Sequence, residues 1–183
     1  MNQRPLNPNS LSQRTVSQVS ENLRITAVDL KNVSISESWL ELLDHYARDP
    51  MGGGTGLSEY TKAHLVEQLK NLPTFHGALA FDGDVAVGLI NCFAGFSTFA
   101  AKPLLNIHDV VVRQDRRRQG IGQALLAWAE GQARQLGCCK LTLEVLVNNV
   151  DAMASYRRAG YAPYELDPAA GHALLMQKNL LEL

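Results

Sequence analysis

The chain is short of cysteine, of long apolar runs and of net charge, and each shortage removes a class of protein. Three cysteines in 183 residues, Cys92, Cys138 and Cys139, cannot build a disulfide framework. They read as free, partly buried thiols in a reducing compartment, without a metal or redox role. No run of about 18 apolar residues is present, so no membrane span is expected. A formal net charge of -1 provides no broad basic field and argues against nucleic-acid binding. The N-terminus lacks the apolar stretch of a signal peptide, which makes the cytoplasm the default location. His45, His64, His76 and His172 are scattered without metal-ligand spacing, so no metal is expected. Internal repeats and low-complexity segments are also missing.

What is present fits one domain, with 46% hydrophobic residues to fill a core. Residues 1–22 are rich in Asn, Gln and Ser, carry Pro5 and Pro8, and read as a flexible polar tail. The domain then runs over 23–183. Leu23 to Val28 alternates and reads as a first strand. Ser34-x-x-Glu37 has the form of a capping box opening a helix with Trp39, Leu42, Leu43 and Tyr46 on one stripe, stopped by Pro50. A glycine-rich loop from Pro50 to Gly56 follows, readable as a cleft wall or a plain connector. Ser58 caps a second helix bearing Leu65, Leu69 and Leu72. Phe75 to Phe81 and Val85 to Phe93 are strands joined through Asp82-Gly83-Asp84.

Leu104 to Val112 is the central strand. Period two puts His108, Val110 and Val112 on one face, and Ile107, Asp109 and Val111 on the other. A helix ends near Leu136, with Gly137 as its C-cap, and Leu141 to Leu146 is the next strand. Asp151 to Arg158 is a short helix. Tyr161 to Tyr164 and Ala173 to Asn179 are expected as the last two strands, joined through Asp167-Pro168 and Gly171-His172.

The stretch from Arg116 to Gly122, Arg-Arg-Arg-Gln-Gly-Ile-Gly, lies between the central strand and the long helix. Glycines permit close backbone approach, and a helix's first turn offers unpaired N–H groups to an anion. Three arginines add positive charge. The pattern reads as a pyrophosphate cradle, although a solvated arginine face at an ordinary turn would look alike. It is not a Walker loop, which needs Gly-x-x-x-x-Gly-Lys-Ser/Thr. Nor is it a dinucleotide fingerprint, because residue 125 is Leu in place of the third glycine.

Arg117-x-x-Gly120-x-Gly122 matches Gln/Arg-x-x-Gly-x-Gly/Ala, the acyl-coenzyme A loop of the GNAT superfamily of N-acetyltransferases. Downstream, Asn149-x-x-Ala152-x-x-x-Tyr156-x-x-x-Gly160-Tyr161 resembles that superfamily's second signature, with Tyr161 where Phe is commoner. The resemblance runs from Phe75 to the C-terminus. It implies an α+β fold with a single mixed, largely antiparallel sheet of about seven strands, a splayed parallel central pair and flanking helices. It implies acetyl-CoA as co-substrate. By resemblance, backbone groups of Val110, Val111 and Val112 pair with the pantetheine, and Arg117, Arg118, Gln119, Gly120, Ile121 and Gly122 hold the pyrophosphate. Asn149 and Tyr156 match positions on the coenzyme arm. Dimers are frequent in such folds, so a homodimer is expected.

Acetyl transfer to an amine needs a base for the ammonium proton and an acid for the departing thiolate. Tyr156 matches the family's acid position; read without the match, it is a helix core residue. His108, Asp109 and Glu144 are base candidates, because each is a polar group in an apolar strand. Ser97-Thr98-Phe99 and Ile107-His108-Asp109 distantly resemble the diamine acetyltransferase branch. There the position of Asp109 holds a cationic amine, and His108 replaces a usual acidic residue. Asp109 bonded to nearby backbone, or Glu144 facing solvent, would be purely structural. The expected activity is acetylation of a small primary amine, such as a diamine, polyamine or amino acid. The alternatives are a protein lysine or N-terminal acetyltransferase, and a non-catalytic acyl-coenzyme A binding module.

Overall fold

A computed structural model describes residues 22–165, 167, 169 and 173–180. The tail expected over residues 1–22, apart from Asn22, and Pro168, Gly171 and His172, lie outside the described residues. The elements follow in the order β1 (Leu23–Ala27), α1 (Val33–Ala47), α2 (Glu59–Leu69), β2 (Phe75–Asp82), β3 (Val85–Ser97), β4 (Lys102–Val112), α3 (Ile121–Gln135), β5 (Leu141–Leu143) and α4 (Val150–Arg158).

One sheet runs in the order β1-β2-β3-β4-β5. Its first three pairings are antiparallel, and β4 pairs with β5 in parallel. The expected α+β class and mixed sheet are therefore found. The count is five strands among the described residues, not seven. Tyr161 to Tyr164 and Ala173 to Asn179 join no ladder. Leu174, Leu175 and Met176 are at least 80% exposed. A β-type composition becomes a strand only where a neighbouring edge takes up its N–H and C=O groups, and neither run pairs with one. β5 likewise stops at Leu143, short of the expected Leu146.

The caps refine the helix starts. Asn32, not Ser34, caps α1, its Oδ1 accepting from the Ile35 N–H at 3.2 Å. Ser58 caps α2 as expected, accepting from the Thr61 N–H at 3.0 Å. A buried side-chain oxygen is not required here; the cap supplies an acceptor to a first-turn N–H that has no helical partner.

The sheet is covered on both faces. On one, α3 packs Ile121, Leu125, Leu126 and Ala129 against Ile90, Leu105 and Ile107. On the other, α1 packs Trp39 and Leu42 against Leu79, Leu89 and Val111. Each fully buried leucine contributes about 1.5–3 kcal/mol by leaving water, so both helices are firmly anchored.

The ladder between β3 and β4 slips once. Asn91 pairs with Asp109, but the next residue, Cys92, pairs with Ile107, leaving His108 opposite nothing. This β-bulge overturns the simple alternation expected for β4. Ile107 shares the α3 face with Val110 and Val112. His108 and Asp109, adjacent in sequence, instead line the same cavity on the α1 side.

Candidate active site

Two features meet along β4. The first is an open edge. The parallel ladder to β5 covers only Leu105, Ile107 and Asn106 between them, pairing with Leu141, Leu143 and Thr142. Beyond Ile107 the two strands part, and the stretch from Val110 to Val112 keeps only its β3 neighbour. The expected splay is thus present.

At the end of that open edge stands the turn into α3. Gly120 is the N-cap with φ +81°, a left-handed conformation that glycine adopts without strain, and no side chain caps the helix. Arg118 also has positive φ, +64°. Gly122 does not need to be glycine for the sake of the fold. A Cβ there would meet only Val112 Cγ2, at 3.9 Å, which is ordinary contact. The first turn of α3 therefore presents backbone N–H groups to an open surface, the arrangement that binds anions.

The three arginines do not act alike. Arg116 is drawn back to Asp82, its Nη1 donating to Oδ2 at 2.9 Å. Arg117 donates to Asp49 Oδ2 at 2.8 Å and to the Val112 carbonyl at 3.2 Å. Their charges are partly matched within the fold, contrary to the reading of three additive cations. Arg118 is exposed and makes no ion pair among the described residues.

The second feature is a cavity of about 320 Å³ between α1, α2 and the sheet. His108 and Asp109 lie on its wall with Tyr46 and Gly52. The Gly52 position admits only glycine, since a Cβ would fall 2.1 Å from the Tyr46 carbonyl oxygen. The glycine-rich loop thus forms part of the cavity wall and is not a plain connector. His108 is exposed, its ring edge-on to Phe93 at 5.5 Å between centroids.

Tyr156 is carried by α4 and packs against the core on the α3 side of the sheet. Gln123, in the first turn of α3, donates to the Ser155 carbonyl at 2.9 Å and to its hydroxyl at 2.8 Å. That pair of bonds pins the helix carrying Tyr156 to the helix carrying the glycine turn, and gives Ser155 a structural role. Asn149 caps α4, accepting from the Ala152 N–H at 3.2 Å. Burial, then the nearby Tyr46 phenol and Asp109 carboxylate, push the Tyr156 phenol up to about 12. Tyr46 is also raised, by burial first and then by Asp109 and Asp49.

Glu144 stands apart. It is exposed where β5 leaves the sheet and accepts from Asn106 Nδ2 at 3.3 and 3.4 Å. The structure puts His108 and Asp109 on one cavity wall, brings Asp109 within electrostatic reach of Tyr156, and leaves Glu144 off that wall. Sequence reasoning missed Asn91 and favoured a core role for Trp39 and Tyr46 over a substrate-binding one, yet all three line the cavity. A lone Asn inside the apolar run from Val85 to Phe93 was the available signal. No cluster of three metal-ligating side chains occurs among the described residues. The thiols are free as expected, although Cys139 is exposed and not partly buried.

A mixed sheet that splays at its parallel pair, with an uncapped glycine turn at the splay and a cavity across the strand, defines an acyltransferase-type α+β domain. The chain belongs to the acetyltransferase (GNAT) family, whose model matches residues 39–161. It is 37% identical over 89 residues to an aminoalkylphosphonate N-acetyltransferase of Salmonella typhimurium, covering 49% of this chain and 58% of that one. It is 39% identical over 92 residues to a streptothricin acetyltransferase of Streptomyces lavendulae, covering 50% and 46%. The chain thus matches about half the length of these curated relatives. Among solved structures, an aminoglycoside acetyltransferase from an uncultured soil metagenomic sample superposes with a TM-score of 0.70 at 18% identity, over 90% of this chain and all of the other.

Proposed function

We propose that this chain is an acyl-CoA-dependent N-acetyltransferase acting on a small primary amine. The observation that carries the reading is Gly122. Its missing side chain serves no neighbour in the fold, and it lies in an uncapped first helical turn beside the open edge of β4. A phosphate group is the ligand chemistry that such a surface fits.

Acetyl-CoA, when bound, supplies an acetyl group activated as a thioester. The edge of Val110, Val111 and Val112 that β5 leaves uncovered would hold its amide arm, and the turn from Arg117 to Gly122 would hold its pyrophosphate. Arg118 adds a cation not already paired among the described residues. Asn149 keeps α4, and with it Tyr156, in position.

The amine enters from the cavity side. Asp109 attracts it as an ammonium, and His108 beside it is suited to take the proton that must leave before attack. Tyr156 keeps its own proton at neutral pH, being raised to about 12, and can donate it to the departing sulfur. Glu144, outside the cavity, has no part in this scheme. The pairing of a phosphate turn with an acid and a base on opposite sides of one strand favours catalysis over passive coenzyme binding.

Gly122→Asp tests the reading. An acidic side chain in a first helical turn favours the helix dipole, so the variant should fold, while its charge repels a pyrophosphate. Loss of acetyl-CoA binding by calorimetry supports the proposal, and undiminished affinity sinks it. Thiol release from acetyl-CoA across a panel of amines then separates an enzyme from a binding module.

A further inference from the structure

The cavity wall is uneven in chemistry. Trp39, Leu43, Leu57, Leu65, Leu69 and Phe93 make most of it apolar. Among the described residues that line it, Asp109 is the only carboxylate, and no lysine or arginine is present.

Asp109 is held from behind by a buried chain of polar groups. Trp39 Nε1 donates to Asn91 Oδ1 at 2.7 Å, and Asn91 Nδ2 donates to Asp109 Oδ2 at 3.0 Å. Trp39 is 0% and Asn91 3% exposed, so water does not compete for the first bond, while the second opens on the cavity side at the half-buried Asp109. An indole N–H can only donate, which determines which end of the Asn91 amide is oxygen. The amide NH₂ must therefore face Asp109, where it too can only donate. One carboxylate oxygen is fixed toward the sheet, and the other has no hydrogen bond among the described residues.

We infer that the cavity takes a cationic primary amine carried on an apolar body free of anionic groups, and that Asn91 is the positioning residue that aims Asp109 at it. The inference rests on the acetyltransferase reading and narrows its acceptor. An ammonium entering an apolar wall needs a fixed counter-charge, because an unpaired charge there is costly. Asp109 supplies one. A carboxylate or phosphonate on the same acceptor would meet apolar surface and Asp109, with no fixed cation to offset either. His108 is the one remaining wall residue able to carry positive charge, and it lies out toward solvent.

The test compares acceptors matched in length, using the full chain, acetyl-CoA and thiol release. Hexylamine is set against 6-aminohexanoate, and propylamine against 2-aminoethylphosphonate. The expected result is a kcat/KM for each plain amine about tenfold or more above its anionic counterpart. Equal or reversed preference overturns the inference without touching the acetyltransferase reading. Thiol release with no amine at all, despite coenzyme binding, defeats that reading and the inference with it.

Trp39→Phe addresses Asn91. It keeps an aromatic ring and removes the N–H, leaving Asn91 Oδ1 without its buried donor and the amide free to swing away from Asp109. KM for hexylamine should rise roughly tenfold, the preference over 6-aminohexanoate should shrink, and acetyl-CoA affinity should hold. Asn91→Leu should act in the same direction. A uniform fall in kcat for both acceptors, with their ratio unchanged, would reduce the chain of bonds to a structural one. The wild-type comparison stands if either variant fails to fold.

Discussion

Arg117 Nη2 donates to Asp49 Oδ2 at 2.8 Å, joining the turn before α3 to the turn after α1. The first belongs to the proposed phosphate surface, and the second leads into the wall of the cavity. Asp49 is well placed for this role. The Met51 N–H, then Arg117, hold its carboxyl below the usual carboxylate range. A group lowered in the folded state stabilises above its unfolded value and loses that contribution only as pH falls through the folded one. The link therefore survives mild acid.

Asp49→Asn should preserve the bond to Met51, because an amide oxygen also accepts, while removing the charge opposite Arg117. The freed guanidinium is then available to a phosphate. Acetyl-CoA should bind several-fold more tightly, with a steeper dependence on salt. Weaker binding in a calorimetric titration would mean that Asp49 pre-orients Arg117 and does not compete for it.

Tyr156→Phe should keep the ring and its packing and lower kcat by about 10²–10⁴-fold, the usual contribution of a positioned acid. Coenzyme affinity should hardly change. With the phenol raised to about 12, the wild-type kcat should show no loss of this acid through pH 9. An unchanged kcat in the variant, with chemistry rate-limiting, would leave Tyr156 as a packing residue.

Tyr161 carries a buried hydroxyl with no partner among the described residues. Tyr161→Phe should stabilise the chain by about 1 kcal/mol, the cost of an unpaired buried hydroxyl being removed. It should also flatten the alkaline stability profile. Burial first, then Cys92, Glu130 and Tyr156, push the Tyr161 phenol from 10.0 to about 12. The folded chain then keeps a proton that the unfolded chain releases, so stability falls as pH rises from 10 toward 12. Cys92, raised from 9.0 to about 12, acts in the same direction over a window opening earlier. Urea midpoints measured from pH 8 to 11 would reveal a shallower slope in the variant; an identical slope would refute the assignment.

Gly131 and Gly122 form a matched pair on α3. A Cβ at Gly131 meets nothing within 4 Å, so Gly131→Ala should stabilise by about 1 kcal/mol and leave coenzyme affinity alone. Gly122→Ala should fold as well as the parent but weaken acetyl-CoA by about tenfold or more, equivalent to about 1.4 kcal/mol. Thermal unfolding and calorimetry on both variants check this. Equal affinities would remove Gly122 from the coenzyme surface.

Most of the fold could be read from local pattern, because its strands and helices bury one face each. Ser58, Gly120 and the apolar stripe of α1 are signals of that kind. The last two expected strands failed for a non-local reason, since Ala173 to Asn179 has strand composition but pairs with neither edge of the sheet. The site was half legible. The spacing of Arg117, Gly120 and Gly122 gave the turn, but nothing local shows that Asp49 and Asp82 would meet Arg117 and Arg116. Those partners are 68 and 34 residues away in the chain. Trp39 was read as core because its ring is core. Only the bond from its Nε1 to Asn91, 52 residues on, gives it a second role.

The slip in β4 has a consequence for chain length. If His108 were omitted, Ile107, Asp109 and Val110 would alternate between the two faces, each keeping the side it now occupies. The sheet would lose nothing it uses, and the ladder from Gly88 to Ser97 would run without a break. His108 is thus a supernumerary residue, carried by the strand for the cavity and not for the sheet. The number of residues from Leu105 to Arg117 is consequently set by chemistry, one more than the architecture asks for. A chain of the same architecture could drop that residue and keep its core. Counting from Leu105 would then misassign every position from Asp109 to Gly122 by one.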